Sequence, residues 1–420
     1  MQEQTTTVPP SVLSHKSFSL FLVGRTMSVF AYQMTMVALA WQLYEMTDSA
    51  FALGLIGLAQ FIPLVVFTLP VGYVSDRYDR RKVLRACQWI AALTTLVLTA
   101  GSFAGWINPY FIYASVVILG SVRAFELPTM GPMVPNLVPA DDVPRAMAWF
   151  TSAQKTATIV GPALGGFLLL AGAEFVYGVS TAFWLCSGLL VLFVVMERPV
   201  RPKEPVTVKS LLAGFTFLLR DRVILGTATL DMFAVLIGSI TILLPIFARD
   251  ILQTGPWGLG LLRSSPAVGA LAMSLVLARY PLKPPIGPIL LGVTVLFGIA
   301  TIAFALSTNF IFSMAALMVL GASDVVSVVI RFSIVQLRTP DDMRGRVSAA
   351  NALFIGTSNQ MGDFRSGVVA AALGAVPAAL IGGIGTVAIA VVWMLVLFPE
   401  LYRIYKLESD ERPEDKPKSG

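Results

Sequence analysis

The chain has 420 residues, of which 56% are hydrophobic and only 13% are charged, and its formal net charge is +6. A soluble domain carries about 25% charged residues, so this composition excludes an ordinary water-soluble protein and indicates one that lies in lipid. The positive charge does not predict a nucleic-acid partner, because the basic residues lie in short segments between apolar runs. Both cysteines, Cys87 and Cys186, fall inside apolar segments, so no disulfide framework is expected.

Apolar runs long enough to cross a bilayer as helices, about 20 residues each, recur along the whole chain. We expect an all-α membrane protein with about twelve transmembrane helices. The predicted spans are residues 17–44, 51–71, 83–103, 109–136, 145–170, 175–196, 223–247, 256–278, 286–306, 309–337, 347–371 and 377–398. A polar N-terminal segment, 1–16, precedes them, and a charged, proline-bearing tail, 399–420, is predicted to be disordered.

A segment rich in proline and charge, Met196–Lys209, interrupts this series after the sixth span. It predicts a linker, residues 197–222, between two six-helix bundles at 17–196 and 223–398. Within it, Ser210–Leu219 fits either a short interfacial helix or an extension of the seventh span.

The two halves repeat each other at fixed sequence offsets. At an offset of 201 residues the matches are Gly120 with Gly321, Pro139 with Pro340, Asp141 with Asp342, Arg145 with Arg346, Gly161 with Gly362 and Gly166 with Gly367. At an offset of 206 residues, Leu53 and Gly54 match Leu259 and Gly260. A parallel repeat of two halves is a transporter architecture, with the substrate site between the halves near the bilayer midplane.

The distribution of lysine and arginine predicts the orientation in the membrane. One set of connections carries Arg77, Arg80, Arg81, Lys82, Arg85, Arg198, Arg201, Lys203, Lys209, Arg338, Arg344 and Arg346. On the other side only Arg249 stands near a connection. We therefore expect a multi-pass protein of the cell inner membrane, with both termini in the cytoplasm.

The most informative local motif is GYVSDRYDRRKVL, Gly72–Leu84, between the second and third spans. It resembles the loop signature G-x-x-x-D-R-x-G-R-R of the major facilitator superfamily, with Asp79 where that family usually has glycine. The matching residues are Gly72, Asp76, Arg77, Arg80 and Arg81. The resemblance implies a conformational latch, in which the Asp76 carboxylate caps the N-terminal end of span 11. The alternative is an ordinary positive-inside turn, which explains the arginines but not the spacing of Gly72 and Asp76.

A second motif, ATIVGPALGG, spans Ala157–Gly166 in the fifth span. It resembles the antiporter signature of the drug-exporting branches, where a glycine–proline pair bends the helix. The residues concerned are Gly161, Pro162, Gly165 and Gly166. Proline removes a backbone donor and glycines allow close helix packing. The equivalent stretch of span 11 carries Asp363 in place of the proline, so the kink is not expected there; Asp363 and Arg365 fit a local structural pair.

Charges inside predicted spans cost roughly 3 kcal/mol or more in hydrocarbon, so each one is a functional candidate. Arg25 in span 1 and Asp231 in span 7 are equivalent at the 206-residue offset, and Arg123 in span 4 and Asp324 in span 10 at the 201-residue offset. In the major facilitator fold, spans 1, 4, 7 and 10 line the central cavity. We therefore expect these charges to bind substrate or protons.

Other charges in the spans leave alternatives open. Arg123 with Glu126 resembles the R-x-x-Q signature of span 4, which is linked to proton coupling in related antiporters, but an i,i+3 pair could equally neutralise itself. Lys155 and Arg331 are weaker candidates, and Arg331 is expected near the cytoplasmic end of its span, where it could snorkel.

Over nearly its whole length the chain resembles the major facilitator superfamily, in particular its enterobactin-exporter-like branch for drug and siderophore efflux. The segments Leu43–Pro63 and Leu337–Leu353 carry the resemblance to that branch. Ala31–Met34 reads AYQM where relatives often have G-D-Q-M, which removes one possible proton site. The resemblance implies a monomeric secondary transporter with a fold of two pseudo-symmetric six-helix bundles, exporting a siderophore or another amphipathic small molecule by alternating access with protons.

Two other classes stay open: a lysophospholipid or lipid flippase of the same fold, whose phosphate head group would also suit cavity arginines, and a non-transporting membrane sensor. The sequence has no phosphate-binding loop and no histidine or cysteine cluster. We therefore expect no enzyme, no cofactor and no metal.

Overall fold

The computed structural model describes residues 11–195, 215–340 and 343–406, and its long elements are helices. Twelve of them lie in this described part. Their bounds are α1 Lys16–Thr47, α2 Ala50–Arg77, α3 Arg80–Phe103, α4 Pro109–Met130, α5 Val143–Leu168, α6 Ala173–Leu192, α7 Arg222–Gly238, α8 Gly255–Arg279, α9 Ile286–Leu306, α10 Phe310–Arg338, α11 Arg344–Leu373 and α12 Ala375–Val392.

Nine helical segments in the described residues are long and apolar enough to cross a membrane, which confirms an all-α membrane fold. The three long helices that fall short of this composition are α1, α5 and α11. Each carries buried or half-buried polar side chains, such as Arg25 in α1, Gln154 in α5 and Asp363 in α11. These polar side chains lie against other parts of the protein, which lowers the apolar content of the three helices.

Helices α1–α6 form one half and α7–α12 the other. The end of the bundle at which α1 starts and α2 meets α3 is called the inner end below, and the opposite end the outer end. The main contacts between the halves pair α2 with α11 and α5 with α8.

Two glycine crossings hold the halves together near the outer end. A Cβ on Gly54 of α2 would lie 2.9 Å from the Cα of Gly367 in α11, and one on Gly166 of α5 would lie 2.8 Å from the Cα of Gly260 in α8. Only glycine permits such an approach of two helix backbones. Because Gly54 matches Gly260 and Gly166 matches Gly367 in the sequence repeat, the two crossings are symmetry equivalents.

Helix α7 is interrupted where the sequence predicts a continuous span to residue 247. It ends at Gly238, and the chain resumes with a 3-10 turn at Thr241–Leu243 and helical turns up to Ile251. Pro245 has no backbone N–H, which disfavours a regular helix here. The freed backbone groups need partners because lipid supplies none.

Helix α11 supplies those partners. Arg365 donates to the carbonyl of Ile237 at 2.7 Å, and the hydroxyl of Ser366 donates to the carbonyl of Ser239 at 2.5 Å. The Asp363 carboxylate accepts the hydroxyl of Ser239 at 2.5 Å. Asp363 and Arg365 are therefore not the local pair expected from the sequence, because each side chain forms a hydrogen bond with a residue beside the break in α7.

The end of the fourth span differs from the predicted one. Helix α4 ends at Met130 and continues as a 3-10 helix, Gly131–Asn136, which contains Pro135. Residues 215–220 are helical, and Asp221 separates them from α7 by capping the N–H groups of Val223 and Ile224. Most of the predicted linker, residues 197–214 of 197–222, lies outside the described residues.

The predicted disorder of the tail is wrong for residues 399–406. A short helix, Pro399–Tyr402, buries Leu401 completely. The carbonyls of Ile404 and Tyr405 accept the N–H groups of Gly287 and Ile286, at 2.8 and 3.2 Å. These bonds satisfy donors at the start of α9 that have no partner within that helix. Residues 407–420 and 1–10 lie outside the described part.

Candidate substrate and coupling site

A buried ion pair links the first and fourth helices of the N-terminal half. The guanidinium of Arg25 in α1 lies 2.9 Å from the carboxylate of Glu126 in α4, with side-chain exposures of 4% and 3%. Arg25 also donates to the hydroxyl of Ser28 and to the amide oxygen of Gln154, both at 3.3 Å. Glu126 therefore pairs across two helices, and not with Arg123 one turn away.

Arg123, the other candidate cation of this half, lies against an aromatic ring. Its guanidinium carbon is 4.4 Å from the ring centroid of Tyr32 in α1, a cation–π contact. The Tyr32 hydroxyl donates to the amide oxygen of Gln60 in α2 at 3.2 Å. Among the described residues Arg123 has no ion-pair partner, so its charge is available to a ligand.

The C-terminal half has its own buried ion pair, formed by a predicted site residue, Asp231, and a weaker candidate, Arg331. Asp231 in α7 forms an ion pair with Arg331 in α10, and Arg331 also donates to the hydroxyl of Ser327 at 3.0 Å. Arg331 is buried, so the expectation that it snorkels to the membrane surface is wrong. Asp231 supplies the buried counter-charge that makes this placement tolerable.

Asp324 in α10 has no hydrogen bond or ion pair in the part of the chain that the structure describes. It lines a cavity with about 600 Å³ of empty space, together with Asp231 and Arg331. The cavity extends to Val335 and Asn351, near the inner ends of α10 and α11. Lys155 in α5, on the other half, is close enough to interact electrostatically with Asp324.

The structure thus sorts the predicted charges into two kinds. Arg25, Glu126 and Asp231 each form an ion pair with a residue of their own half. Arg123 and Asp324 have no ion-pair partner among the described residues. The last two occupy equivalent positions of the repeat and carry opposite charges. Such an arrangement can bind an anionic group on the N-terminal side and hold a proton on the C-terminal side.

Polar contacts that were not predicted from the sequence also join the halves at the outer end. Arg249, just after the α7 break, pairs with Asp48 at the end of α1, and the Tyr44 hydroxyl donates to Asp250. Arg249 also binds Asp250 at 2.9 Å and lies 4.3 Å from the ring centroid of Tyr44. These contacts tie the last turn of α1 to the other half.

A second missed residue is Arg263 in α8. Its side chain is half-buried and donates to the carbonyl of Met36 in α1, across the junction of the halves, at 3.4 Å. Asp363 and Tyr32 lie within electrostatic range of it. The rule applied to Arg25, that a charge inside an apolar span is a functional candidate, would have found Arg263 within the predicted span 256–278.

The predicted latch segment is only partly visible. The side chains of Gly72 and Asp76 lie outside what the structure describes, so their contact with α11 stays a prediction. Arg77 is exposed and Arg80 is buried. Asp79 caps α3 through the N–H of Arg81 and binds its guanidinium at 2.8 Å, and this bond lowers the pKa of Asp79.

The predicted kink residues lie at the crossing of α5 with α1 and α8. Gly161, Pro162, Gly165 and Gly166 are all buried in a helix that runs without a break to Leu168. A Cβ on Gly165 would lie 2.9 Å from the Cα of Met34. The stretch therefore places the α5 backbone directly against α1 of its own half and α8 of the other half.

A helical membrane bundle of two repeated halves, with charged side chains between them and a cavity reaching one end, defines a membrane transporter. The sequence matches the family model described as Major Facilitator Superfamily over residues 21–362. The chain belongs to this superfamily and is a transporter, not an enzyme.

Similar proteins of known name and structure agree with this assignment. The enterobactin exporter EntS of Escherichia coli O1:K1 / APEC is 26% identical over 390 residues, which cover 91% of this chain and 92% of that protein. A transporter of the POT family has the same fold, with a TM-score of 0.72, 12% identity and coverage of 91% and 96%. An inward-facing, unoccupied bacterial homologue of the lysosomal transporter Spinster gives a TM-score of 0.69, with 13% identity and coverage of 92% and 96%.

Proposed function

We propose that this protein exports a siderophore or another amphipathic small molecule by proton-coupled alternating access. The observation that carries the proposal is the pair Arg123 and Asp324, two opposite charges at equivalent positions of the two halves that have no ion-pair partner among the described residues. The similarity to an enterobactin exporter over 91% of the chain supports a siderophore as substrate.

Alternating access requires a cavity that reaches one side of the membrane at a time. Here the glycine crossings and the Arg249–Asp48 pair close the outer end, while the cavity beside Asp324 extends toward the inner end. This arrangement suits loading from the inner side, which is the direction that export needs.

Proton coupling needs an acid whose charge state can change. Burial disfavours the ionised form of a carboxylate, and a nearby cation favours it. Asp324 lies in a cavity close to Arg331 and to Lys155 of the other half. Since Lys155 and Asp324 belong to different halves, their separation changes when the halves move. We propose that this change lets Asp324 bind and release a proton.

The orientation is also part of the proposal. Arginine-rich connections lie at the inner end, and the positive-inside rule therefore supports a cytoplasmic position for this end and for both termini. Reporter fusions to each terminus test this placement. A periplasmic signal from either fusion contradicts the proposed direction.

Transport by purified protein in liposomes tests the function. We expect enterobactin flux to rise when a pH gradient is imposed. Asp324→Asn should abolish that rise and leave substrate binding within about twofold, because an amide cannot carry the proton. Glu400→Gln, at the inner surface, removes a partly exposed carboxylate and serves as the control. Full gradient-dependent flux in Asp324→Asn would rule out this residue as the coupling acid.

A further inference from the structure

Arg263 carries a charge that the proposed function does not yet use. A guanidinium has five N–H donors, and the described residues give Arg263 a single hydrogen bond, the 3.4 Å contact with the Met36 carbonyl. Its nearest counter-charge, Asp363, is already bound by the hydroxyl of Ser239. Even partial burial of a charge without a full set of partners is costly, so this half-buried cation has donors that a ligand can bind.

Arg263 and Arg123 both lie near the same side chain. Arg123 of α4 covers the face of Tyr32, and Arg263 of α8 is within electrostatic range of it. Arg123 belongs to the N-terminal half and Arg263 to the C-terminal half. Neither arginine has an ion-pair partner among the described residues. Two cations from opposite halves thus face Tyr32, one over its ring and the other within electrostatic range of it.

Position along α8 places Arg263 in the closed part of the bundle. Arg263 is eight residues from the start of α8, about 12 Å from its outer end, and just under one turn below Gly260, where α8 crosses α5. Its bond to Met36 reaches α1 across the junction of the halves. A ligand bound here contacts both halves at the level where they separate when the outer end opens.

We propose that Arg263 and Arg123 form a two-arginine site, around Tyr32, that binds an anionic oxygen group of the transported molecule. A carboxylate, catecholate or phosphate accepts planar guanidinium donors well, and the ring of Tyr32 offers an apolar face beside them. The proposal rests on the proposed function and adds the chemical class of the group recognised. It assigns recognition to α8, a helix outside the set of four expected to line the cavity.

Binding of paired probes to the purified full-length protein tests the site. One arm compares 2,3-dihydroxybenzoate with its uncharged methyl ester, and the other compares lysophosphatidylglycerol with uncharged monoacylglycerol. We expect wild-type protein to prefer the anionic member of one pair by about ten- to hundredfold, the range for hydrogen bonds to charged groups. The arm that shows the preference identifies the source of the anion.

Arg263→Gln should remove most of that preference and leave the affinity for the uncharged probe within about twofold. Arg279→Gln, near the end of the same helix and exposed, is the matched control and should keep the preference. Arg123→Gln is a second, independent variant with the same expected loss. The double variant should lose little more than either single one, because both side chains hold one anion.

Three results overturn the site: no anion preference in the wild-type protein, an unchanged preference in Arg263→Gln, or additive losses in the double variant. The outcome is separable from that of the proposed function. Gradient-driven flux with binding insensitive to Arg263 refutes the site alone, whereas Arg263-dependent binding without flux refutes the export proposal alone.

Discussion

The two halves use the same helices for a buried ion pair but reverse its polarity. In the N-terminal half the cation is on the first helix, Arg25, and the anion on the fourth, Glu126. In the C-terminal half the anion is on the first helix, Asp231, and the cation on the fourth, Arg331. The repeated fold therefore keeps the location of the cross-link without keeping its sign.

The two pairs also differ in their surroundings. The N-terminal pair is sealed, whereas the C-terminal pair lines a cavity beside Asp324. The partner on the fourth helix is displaced by one turn, since the position equivalent to Glu126 is Ser327, which accepts a hydrogen bond from Arg331. The difference indicates a structural role for the Arg25–Glu126 pair. It also indicates that water in the cavity can reach the Asp231–Arg331 pair.

The largest effect that separates the halves should come from breaking the sealed pair. Glu126→Gln leaves Arg25 buried without its counter-charge, which costs about 3–5 kcal/mol for a buried pair. Asp231→Asn should cost less, because Arg331 can still reach water in the cavity. Thermal unfolding in detergent measures both.

A double neutralisation, Arg25→Gln with Glu126→Gln, is the control for this prediction. It should recover much of the lost stability, since neither charge remains. Equal destabilisation by Glu126→Gln and Asp231→Asn would show that the two pairs are alike after all.

A smaller effect should follow from filling either glycine crossing. Gly166→Val and Gly54→Val insert side chains where backbones touch, and overpacking costs about 1–3 kcal/mol. Each variant should therefore open the outer end and slow transport by about tenfold or more. Alkylation of a cysteine placed at Thr35, in a background without Cys87 and Cys186, reports the opening.

Gly292→Val provides the matched control, because nothing lies within 4 Å of a Cβ at Gly292. It should leave both flux and alkylation unchanged. Since the crossings are symmetry equivalents, we expect similar effects of the two valine variants. A strong effect of only one variant would show that the two crossings contribute unequally to closure of the outer end.

The smallest effect concerns the charges at the two ends. Arg249→Gln removes contacts with Asp48, Asp250 and Tyr44, each worth at most about 1 kcal/mol at a partly exposed site. Asp76→Asn removes a predicted helix-end contact of roughly 0.3–1 kcal/mol. The first should raise the outer accessibility of the Thr35 cysteine severalfold, and the second should lower it.

Such opposite shifts are what distinguishes a latch from a topogenic turn. If Asp76→Asn changes neither flux nor accessibility, the segment Gly72–Leu84 only sets the orientation. Lys82→Gln, in the same connection, is a suitable comparison because it also removes one charge.

Much of the fold could be predicted from the sequence because it rests on local hydropathy. Every predicted span overlaps a long helix, and the glycine matches at offsets of 201 and 206 residues anticipated the repeat. The break in α7 could not be predicted, since its partners, Asp363, Arg365 and Ser366, lie more than 120 residues away.

The site was predicted less completely for the same reason. The sequence shows the positions of the charges but not their pairing across helices, so it offers Arg123 as one possible partner of Glu126 and a site near the membrane surface for Arg331. A sequence spacing of three or four residues is apparent on one helix. A contact between α1 and α4, or between α7 and α10, depends on how the helices pack.

The break in α7 has a mechanical consequence. Because α11 binds the end of α7 through Arg365 and Ser366 and also contacts the 3-10 turn Thr241–Leu243 beyond the break, the chain that leads to Arg249 and Asp250 is held against α11. Helix α11 also crosses α2 at Gly54, and the far end of α2 bears Asp76. Helices α11 and α2 thus connect the outer face of the membrane with the inner face. A displacement of the chain at one face should therefore tilt these helices and move the other face.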